Sequence, residues 1–466
     1  MATLDESPRH GDEITGIFGP RHRALAVGLV AIMTLVAFEY LAVATAMPKV
    51  AADLDGMGLY SLAFSGAMAA GVVATVVGGR WSDLRGPLAP LWTGVAVFLA
   101  GLVTAGAALN MEMLLAGRLF QGFGGGLFQV SLYVLVARVY PPALHPRVFS
   151  LFAVAWVLPS MIGPAVAGAV VDQVGWRWVF LGVALIAVPA ALPTWWGLSR
   201  PDVVRSLAGG QGTPAPGLAR RVGWAVLTAV GAALMQYGSG RRGAEMLIMV
   251  AGLALLAVAL PRLLPRGTLR AARGLPTVVA LRGLAAGAFI SAEVMVPLML
   301  MEARGLSTVA AGLALTGGAV TWSFGSWLQG RGVLPRLVLL RGGTALITVG
   351  VALMAVVIFE AVPVALAYVS WIIGGLGMGL VYPTLSVLAL ELSRPGEQGH
   401  NSSALQVGEQ VFTVVVVAVT GALFTALESG FLYSFGVAAL VALAAVAIAP
   451  RFAQPVVGGT MVKTEV

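Results

Sequence analysis

Residues 25–47 read LAVGLVAIMTLVAFEYLAVATAM, an unbroken apolar run with a single charged side chain, Glu39. At about 1.5 Å per residue a helix of this length reaches across the roughly 30 Å hydrocarbon core of a bilayer. A cleaved leader would be shorter, and a helix on a soluble core would keep a polar face. The stretch therefore predicts a membrane-spanning helix. It also poses a question, because an ionised carboxylate at the centre of such a helix costs about 2.5–3.5 kcal/mol on insertion scales. Glu39 must be paired, protonated or facing water.

The rest of the chain repeats the pattern. Of its 466 residues 59% are hydrophobic and only 10% charged, and the mean hydropathy is +0.92, far outside the balance of a soluble protein. Apolar stretches bounded by Gly, Pro and charge lie near 25–47, 59–79, 88–109, 111–139, 147–171, 176–198, 222–238, 244–264, 275–301, 307–329, 336–358, 362–391, 404–427 and 430–449. They predict an all-α integral membrane protein with fourteen transmembrane helices. Omitting the hairpin 222–264 would leave twelve and the same sidedness.

Composition excludes several chemistries. Cysteine is absent, which removes disulfides, thiolate metal sites and a cysteine nucleophile. The four histidines, His10, His22, His145 and His400, all lie in polar stretches without HExxH spacing, so no metal is expected. Neither Lys49 nor Lys463 stands in a GK[ST] context, so no P-loop is present and no nucleotide cofactor is expected. Any transport draws on a gradient or on a separate ATPase. The net charge of +8 suggests a nucleic-acid partner until its distribution is examined. With the N-terminus inside, twenty-one of the 28 Lys and Arg fall in cytoplasmic segments. Five fall outside: Lys49, Arg177, Arg241, Arg242 and Arg304. This asymmetry explains the charge without nucleic acid and puts both termini in the cytoplasm.

An internal echo divides the chain. Gly79-Arg80-Trp81-Ser82-Asp83-Leu84-Arg85-Gly86, in the loop after the second span, and Gly325-Ser326-Trp327-Leu328-Gln329-Gly330-Arg331-Gly332, ending the tenth, share a G-x-W-x-[D/Q]-x-x-G pattern at a constant offset of 246 residues. An even number of spans fits that offset, hence a parallel repeat. The expected division is a cytoplasmic tail over 1–24, a six-helix bundle over 25–199, a linker with two additional helices over 200–274, a second six-helix bundle over 275–450 and a tail over 451–466. Glycine clusters at 122–126 and 374–379 predict close helix packing rather than a nucleotide loop.

These patterns resemble the major facilitator superfamily, and within it the 14-helix branch of drug:proton antiporters. The superfamily's G-x-L-a-D-r-x-G-r loop motif is matched at Gly79, Asp83 and Gly86, its fourth-helix motif at Leu114, Arg118, Gln121, Gly122 and Gly124. The fifth-helix antiporter motif is matched at Gly163, Pro164 and Gly168, with Pro159 and Ala167 replacing two of its glycines. The first-helix pattern of the branch places Glu39, Ala46 and Pro48 in register, and Gly175-Trp176-Arg177-Trp178-Val179-Phe180 opens the sixth span as in that branch. The resemblance implies a monomer in the inner (plasma) membrane that exports lipophilic, often cationic small molecules in exchange for protons. A lipid or metabolite exporter on the same scaffold is the alternative. A non-transporting sensor and an intramembrane enzyme are disfavoured, since no output domain and no catalytic cluster is legible.

Depth assigns the candidate residues. Arg118 lies near the level of Glu39, and a Glu39–Arg118 pair that opens on protonation is expected; Glu293 stands at similar depth in the second half and is a candidate for a second proton or a cationic substrate. Trp156 and Trp322 are candidate substrate contacts. Asp83 is expected to engage a neighbouring helix terminus and, with Gly79, Arg85 and Gly86, to clamp the halves on the cytoplasmic side. Gly163, Pro164 and Gly168 suit a helix at the interface between halves. Glu409 follows an Asn401-Ser402-Ser403 start whose Ser403 and Gln406 have capping-box spacing, and it is expected to serve a helix N-terminus rather than to join Glu293 in binding a proton or a cation.

Overall fold

The structure is a computed structural model that describes residues 16–19, 22–56, 59–207, 217–239 and 246–453. The loop bearing Arg241 and Arg242, and most of both expected tails, lie outside the described residues.

All regular structure among the described residues is helical. The first half comprises α1 (Arg23–Asp53), α2 (Tyr60–Arg85), α3 (Leu88–Gly106), α4 (Met111–Val139), α5 (His145–Val154), α6 (Val157–Gln173) and α7 (Arg177–Leu198). A short α8 (Pro201–Leu207) leads to the hairpin α9 (Leu218–Ser239) and α10 (Met246–Leu263). The second half comprises α11 (Leu275–Glu302), α12 (Thr308–Gly330), α13 (Arg336–Val356), α14 (Ala365–Glu391), α15 (Gln398–Ala426) and α16 (Gly430–Ile448). Counting α5 and α6 as one segment, thirteen are long and apolar enough to cross a membrane. The fourteenth, α12, is 23 residues long, but Gly317, Gly318, Thr321, Ser323, Gly325 and Ser326 lower its hydropathy below that of the others.

Residue 22 and residue 453 lie at the same end of the bundle, here called the terminal face. Gly274, just before α11, donates its N–H to the carbonyl of Arg451 there, 2.9 Å away. At the opposite face the Trp176 indole donates to Asp53 (3.1 Å) and Arg177 to the Ala108 carbonyl (3.0 Å), tying α7 to α1 and α3. In the second half Arg304 donates to the carbonyls of Val357, Phe359 and Val362, closing the end of α13.

Several local expectations are corrected. The Gly79–Gly86 stretch is not a loop: α2 continues to Arg85 and stops at Gly86, whose φ of 84° is a conformation side chains rarely adopt. The fifth span is not one continuous helix: it is broken at Ala155–Trp156, while Pro164 lies inside α6. Pro159 has no N–H to offer the carbonyl of Ala155 one turn earlier, so the break precedes it. Finally, α15 begins at Gln398, which places Asn401-Ser402-Ser403 inside the helix and Glu409 about three turns from its start. Glu409 therefore does not serve the helix N-terminus.

Glycine contacts set the register of the repeat. A Cβ added to Gly122 of α4 would fall 1.9 Å from the Ala67 carbonyl of α2, and one on Gly126 2.4 Å from that of Gly71. Gly375 and Gly379 of α14 meet Gly318 and Trp322 of α12 in the same way, at 2.2 and 2.1 Å. Counterparts are thus 253 residues apart in α4 and α14 and 251 apart in α2 and α12, not 246. The counterpart of Gly79 is Gly330: the first faces Gly399 and Ser403 of α15, the second Pro146 and Ser150 of α5. Gly325 instead packs on Leu376 and Gly379 within its own half. The reason is length. Because α12 ends at Gly330 while α2 runs on to Arg85, the same letters sit about a turn and a half deeper in α12.

Within each half one helix is central: α4 packs between α2 and α3, and α14 between α12 and α13. Between the halves α2 meets α15, α5 meets α12 and α14, and α4 meets α15, while the hairpin lies against α2 and α15 through α9.

Candidate functional site

The first half places one acid at a three-helix junction. Glu39 of α1 and Arg118 of α4 are both buried, and Arg118 Nη1 donates to Glu39 Oε1 at 2.8 Å. Gln121, one turn beyond Arg118, closes the triangle: its Oε1 accepts from Arg118 Nη1 (2.8 Å) and its Nε2 donates to Glu39 Oε1 (3.1 Å). A longer bond runs from Arg118 Nε to the Ala63 carbonyl of α2, 3.4 Å. Sequence depth brought Glu39 and Arg118 to one level. Gln121, matched only as a motif letter, was missed as a partner although it lies on the same helical face three residues on.

Beside this triad stand Tyr40 and Trp156, their rings edge-on with centroids 6.1 Å apart. Tyr40 is 60% exposed and lies within electrostatic reach of Arg118, of Glu39 and, from the second half, of Glu293. Glu293 is half-buried and makes no hydrogen bond or ion pair among the described residues. Trp156 sits at the break within the fifth span, as the residue before α6, so its ring is positioned by the break that Pro159 causes. Trp322 is placed differently. It packs against Phe289 and Tyr382, both at 5.6 Å, and Phe289 stacks on Trp371 at 4.6 Å.

A second polar network lies in the other half. Arg282 of α11, essentially fully buried, donates through Nε to Glu409 Oε2 (2.8 Å) and through Nη1 to the Tyr382 carbonyl (2.7 Å) and Ser386 Oγ (2.9 Å). The Tyr382 hydroxyl donates to Glu409 Oε1 at 2.9 Å. Tyr133 of α4 touches this network from the first half, 3.4 Å from Ser386 Oγ and 3.5 Å from Arg282 Nη2. These two contacts are long and correspondingly weak. The network was legible only in part. Arg282 falls inside the predicted span 275–301, and a buried cation demands an acid, which points to Glu409.

At the terminal face Asp83 is completely buried and accepts the backbone N–H groups of Gly399 and His400, both at 2.8 Å. These are orphan donors of the first turn of α15, where a carboxylate is favoured. Backbone contact makes the reach possible: an added Cβ on Gly399 would fall 2.1 Å from the Gly79 carbonyl oxygen. Arg221 of the hairpin bonds the His400 ring at 3.0 Å. Arg85 is exposed and has no partner among the described residues. In the fifth-span motif Gly163 lies against Leu41 and Phe38 of α1, inside the first half rather than between halves; Pro164 is exposed, and Gly168 faces open space. The close approach between halves on that side is instead Ser150 to Gly330.

Residues 27–416 match the Major Facilitator Superfamily. The multidrug transporter protein MdtP of Bacillus subtilis (strain 168) is 30% identical over 167 residues, covering 35% of this chain and 31% of that protein. Multidrug resistance protein 3 of the same organism is 28% identical over 156 residues, 34% of this chain and 30% of that one. The chain thus spans less than a third of the length of these curated relatives. Among solved structures, the human organic anion transporter MFSD10 (TETRAN) superimposes with a TM-score of 0.70 at 13% identity, over 92% of this chain and all of that one. A bacterial homologue of the iron transporter ferroportin does so with 0.68, also at 13% identity, over 92% of this chain and 98% of its own. At such identities the likeness is one of fold.

Proposed function

The chain belongs to the major facilitator superfamily, and on that premise we propose that it is a proton-coupled secondary transporter that exports amphipathic, cationic small molecules by alternating access. The observation that carries this reading is the Glu39–Arg118–Gln121 triad next to the exposed Tyr40 and Trp156 and the unpaired Glu293. It offers a proton acceptor with a releasable partner, aromatic faces that suit a cation, and a second carboxylate without a counter-ion among the described residues. The names of MdtP and multidrug resistance protein 3 lend support to the substrate class.

The proposed sequence has two steps. From the opposite face a proton binds Glu39 as substrate leaves; Arg118 then rests on Gln121 and the Ala63 carbonyl, so the guanidinium keeps acceptors. After the halves rock to open the terminal face, the proton leaves, Arg118 again pairs with Glu39, and a cation enters between Tyr40, Trp156 and Glu293. In this assignment the terminal face is cytoplasmic, as the Lys and Arg bias favours, the membrane is the plasma membrane, the two bundles are residues 25–199 and 275–450, and the unit is a monomer. Asp83, Gly79 and Gly86 act as the clamp at that face.

Reconstituted protein with an imposed pH gradient tests the reading. Wild type should accumulate a lipophilic cation and release protons in return. Glu39→Gln should abolish gradient-driven movement while the protein remains folded and still binds the cation. Undiminished transport by Glu39→Gln would remove the coupling role.

A further inference from the structure

We infer that Glu409 is a second proton-binding site, reached from the terminal face along a column of polar side chains on α15. The first observation is the setting of the ion pair. Arg282 is 1% exposed at its side chain, whereas Glu409 is 18% exposed, so the acid, not the base, has access to its surroundings. Arg282 also keeps two short bonds to neutral acceptors, the Tyr382 carbonyl and Ser386 Oγ. A buried cation with such alternatives survives neutralisation of its counter-ion, which a pair bonded only to itself does not.

The second observation is independent of the pair. Ser402 Oγ, both amide atoms of Gln406, Gln410 Oε1 and Thr413 Oγ1 are buried, and among the described residues no protein group bonds them. Their spacing puts them along one side of α15, from just above the Asp83 clamp past Glu409. Native interiors rarely leave polar groups unpaired, and polar sites with room are hydrated. A column of this kind, four residues long and passing a carboxylate, has the chemistry of a hydrated proton path. In the apolar interior of a static bundle it would only destabilise.

Among the described residues no other charge bonded to Glu409 competes for this role. The groups bonded to it are Arg282 of α11 and Tyr382 of α14, and Tyr133 of α4 lies behind them against Arg282. The charged residues of α2 and α9, namely Arg80, Asp83, Arg85, Arg220 and Arg221, gather at the terminal end, where Asp83 and Arg221 meet His400. That histidine is nine residues before Glu409, about 13 Å along the helix. Among titratable residues α16 brings only Tyr433, near its far end. The site also touches the symmetry of the fold. Tyr133 and Ser386 are counterparts 253 residues apart that meet each other, so the network lies where the two halves face and a proton on Glu409 is felt by both.

The test does not depend on transport or on the role of Glu39. Infrared difference spectra between acidic and alkaline pH are recorded on the full chain in lipid without substrate, where each carboxyl that takes up a proton contributes a protonated carbonyl band. Glu409→Gln should remove one band that Glu39→Gln leaves in place. Gln406→Leu should keep that band and slow its appearance several-fold after a pH jump. A spectrum of folded Glu409→Gln identical to wild type overturns the site, and a wild-type rate in Gln406→Leu overturns the path. Should Glu409→Gln fail to fold, Glu409→Asp decides: the band shifts in frequency if it belongs to this carboxyl, and an unmoved band refutes the assignment.

Discussion

Replacing Asp83 by Asn probes the junction of the halves with almost no change in shape. The carboxylate accepts two N–H groups of α15 at 2.8 Å and is fully buried. An amide retains one acceptor oxygen and turns an NH2 group toward the second N–H. The loss is about one charge-assisted bond, roughly 1.5–3 kcal/mol, together with about 0.3–1 kcal/mol for the charge at the helix N-terminus. The total of roughly 2–4 kcal/mol weakens only the state in which α2 and α15 touch, so the balance between closed and open terminal faces should move by about 30- to 700-fold. The native chain has no cysteine, which makes an introduced thiol unique. Ser150 is 7% exposed and packed against Gly330 across the same closed face, and Ser150→Cys should react slowly with a maleimide in the Asp83 background. With Asp83→Asn the reaction should accelerate by at least about 30-fold, while an exposed Ser199→Cys control keeps its rate. Equal labelling of Ser150→Cys in both backgrounds would refute the clamp.

Two further outcomes follow from the same packing. Gly79→Ala should open the terminal face as Asp83→Asn does, because its Cβ would lie 2.4 Å from the Gly399 carbonyl oxygen, whereas Gly330→Ala, 3.0 Å from the flexible Ser150 side chain, should be tolerated; equal effects on thiol labelling would contradict the assigned register. Arg282→Met should lower stability by about 3–5 kcal/mol by stranding Glu409, and the double change with Glu409→Met should recover most of it. Thermal unfolding in detergent checks this, and an undisturbed single variant would mean that Glu409 is not held by Arg282.

Much of the helix order was legible because hydropathy and length act over twenty residues at a time. Thirteen of the fourteen apolar stretches correspond to helices that meet the membrane criterion, and α12 escapes it only through its small polar residues. Glu39 and Arg118 could be brought together because rise per residue converts sequence position into depth. Lateral neighbours are another matter. Whether Gly163 faces α1 or the second half depends on helix rotation, which a motif does not specify. The offset of 246 likewise came from letters shared by α2 and α12, while the true offset of 251 is written in glycines whose partners are carbonyls of another helix. Glu409 was misassigned for a similar reason: Ser403 and Gln406 have capping-box spacing, but α15 begins five residues before Ser403.

The corrected register shows that the two halves share a backbone and not a chemistry. Arg118 has Trp371 as its counterpart, and where Arg118 pairs with Glu39 of the first helix of its half, Trp371 stacks on Phe289 of the first helix of the other. Asp83 has Leu334 as its counterpart. At the facing helix, Gly399 gives an N–H to Asp83, but its counterpart Pro146 has none to give. The clamp therefore cannot be duplicated, and α5 and α12 meet through Ser150 and Gly330 without a charged bond. In place of the missing devices the second half carries Arg282 and Glu409. Glycine and small-residue contacts keep the frame symmetric because any side chain there would collide, whereas charges are costly in the membrane and persist only where they act. If the two halves rock as proposed, the Asp83 contact is the asymmetric element at the terminal face, and its strength is expected to set how readily that face opens.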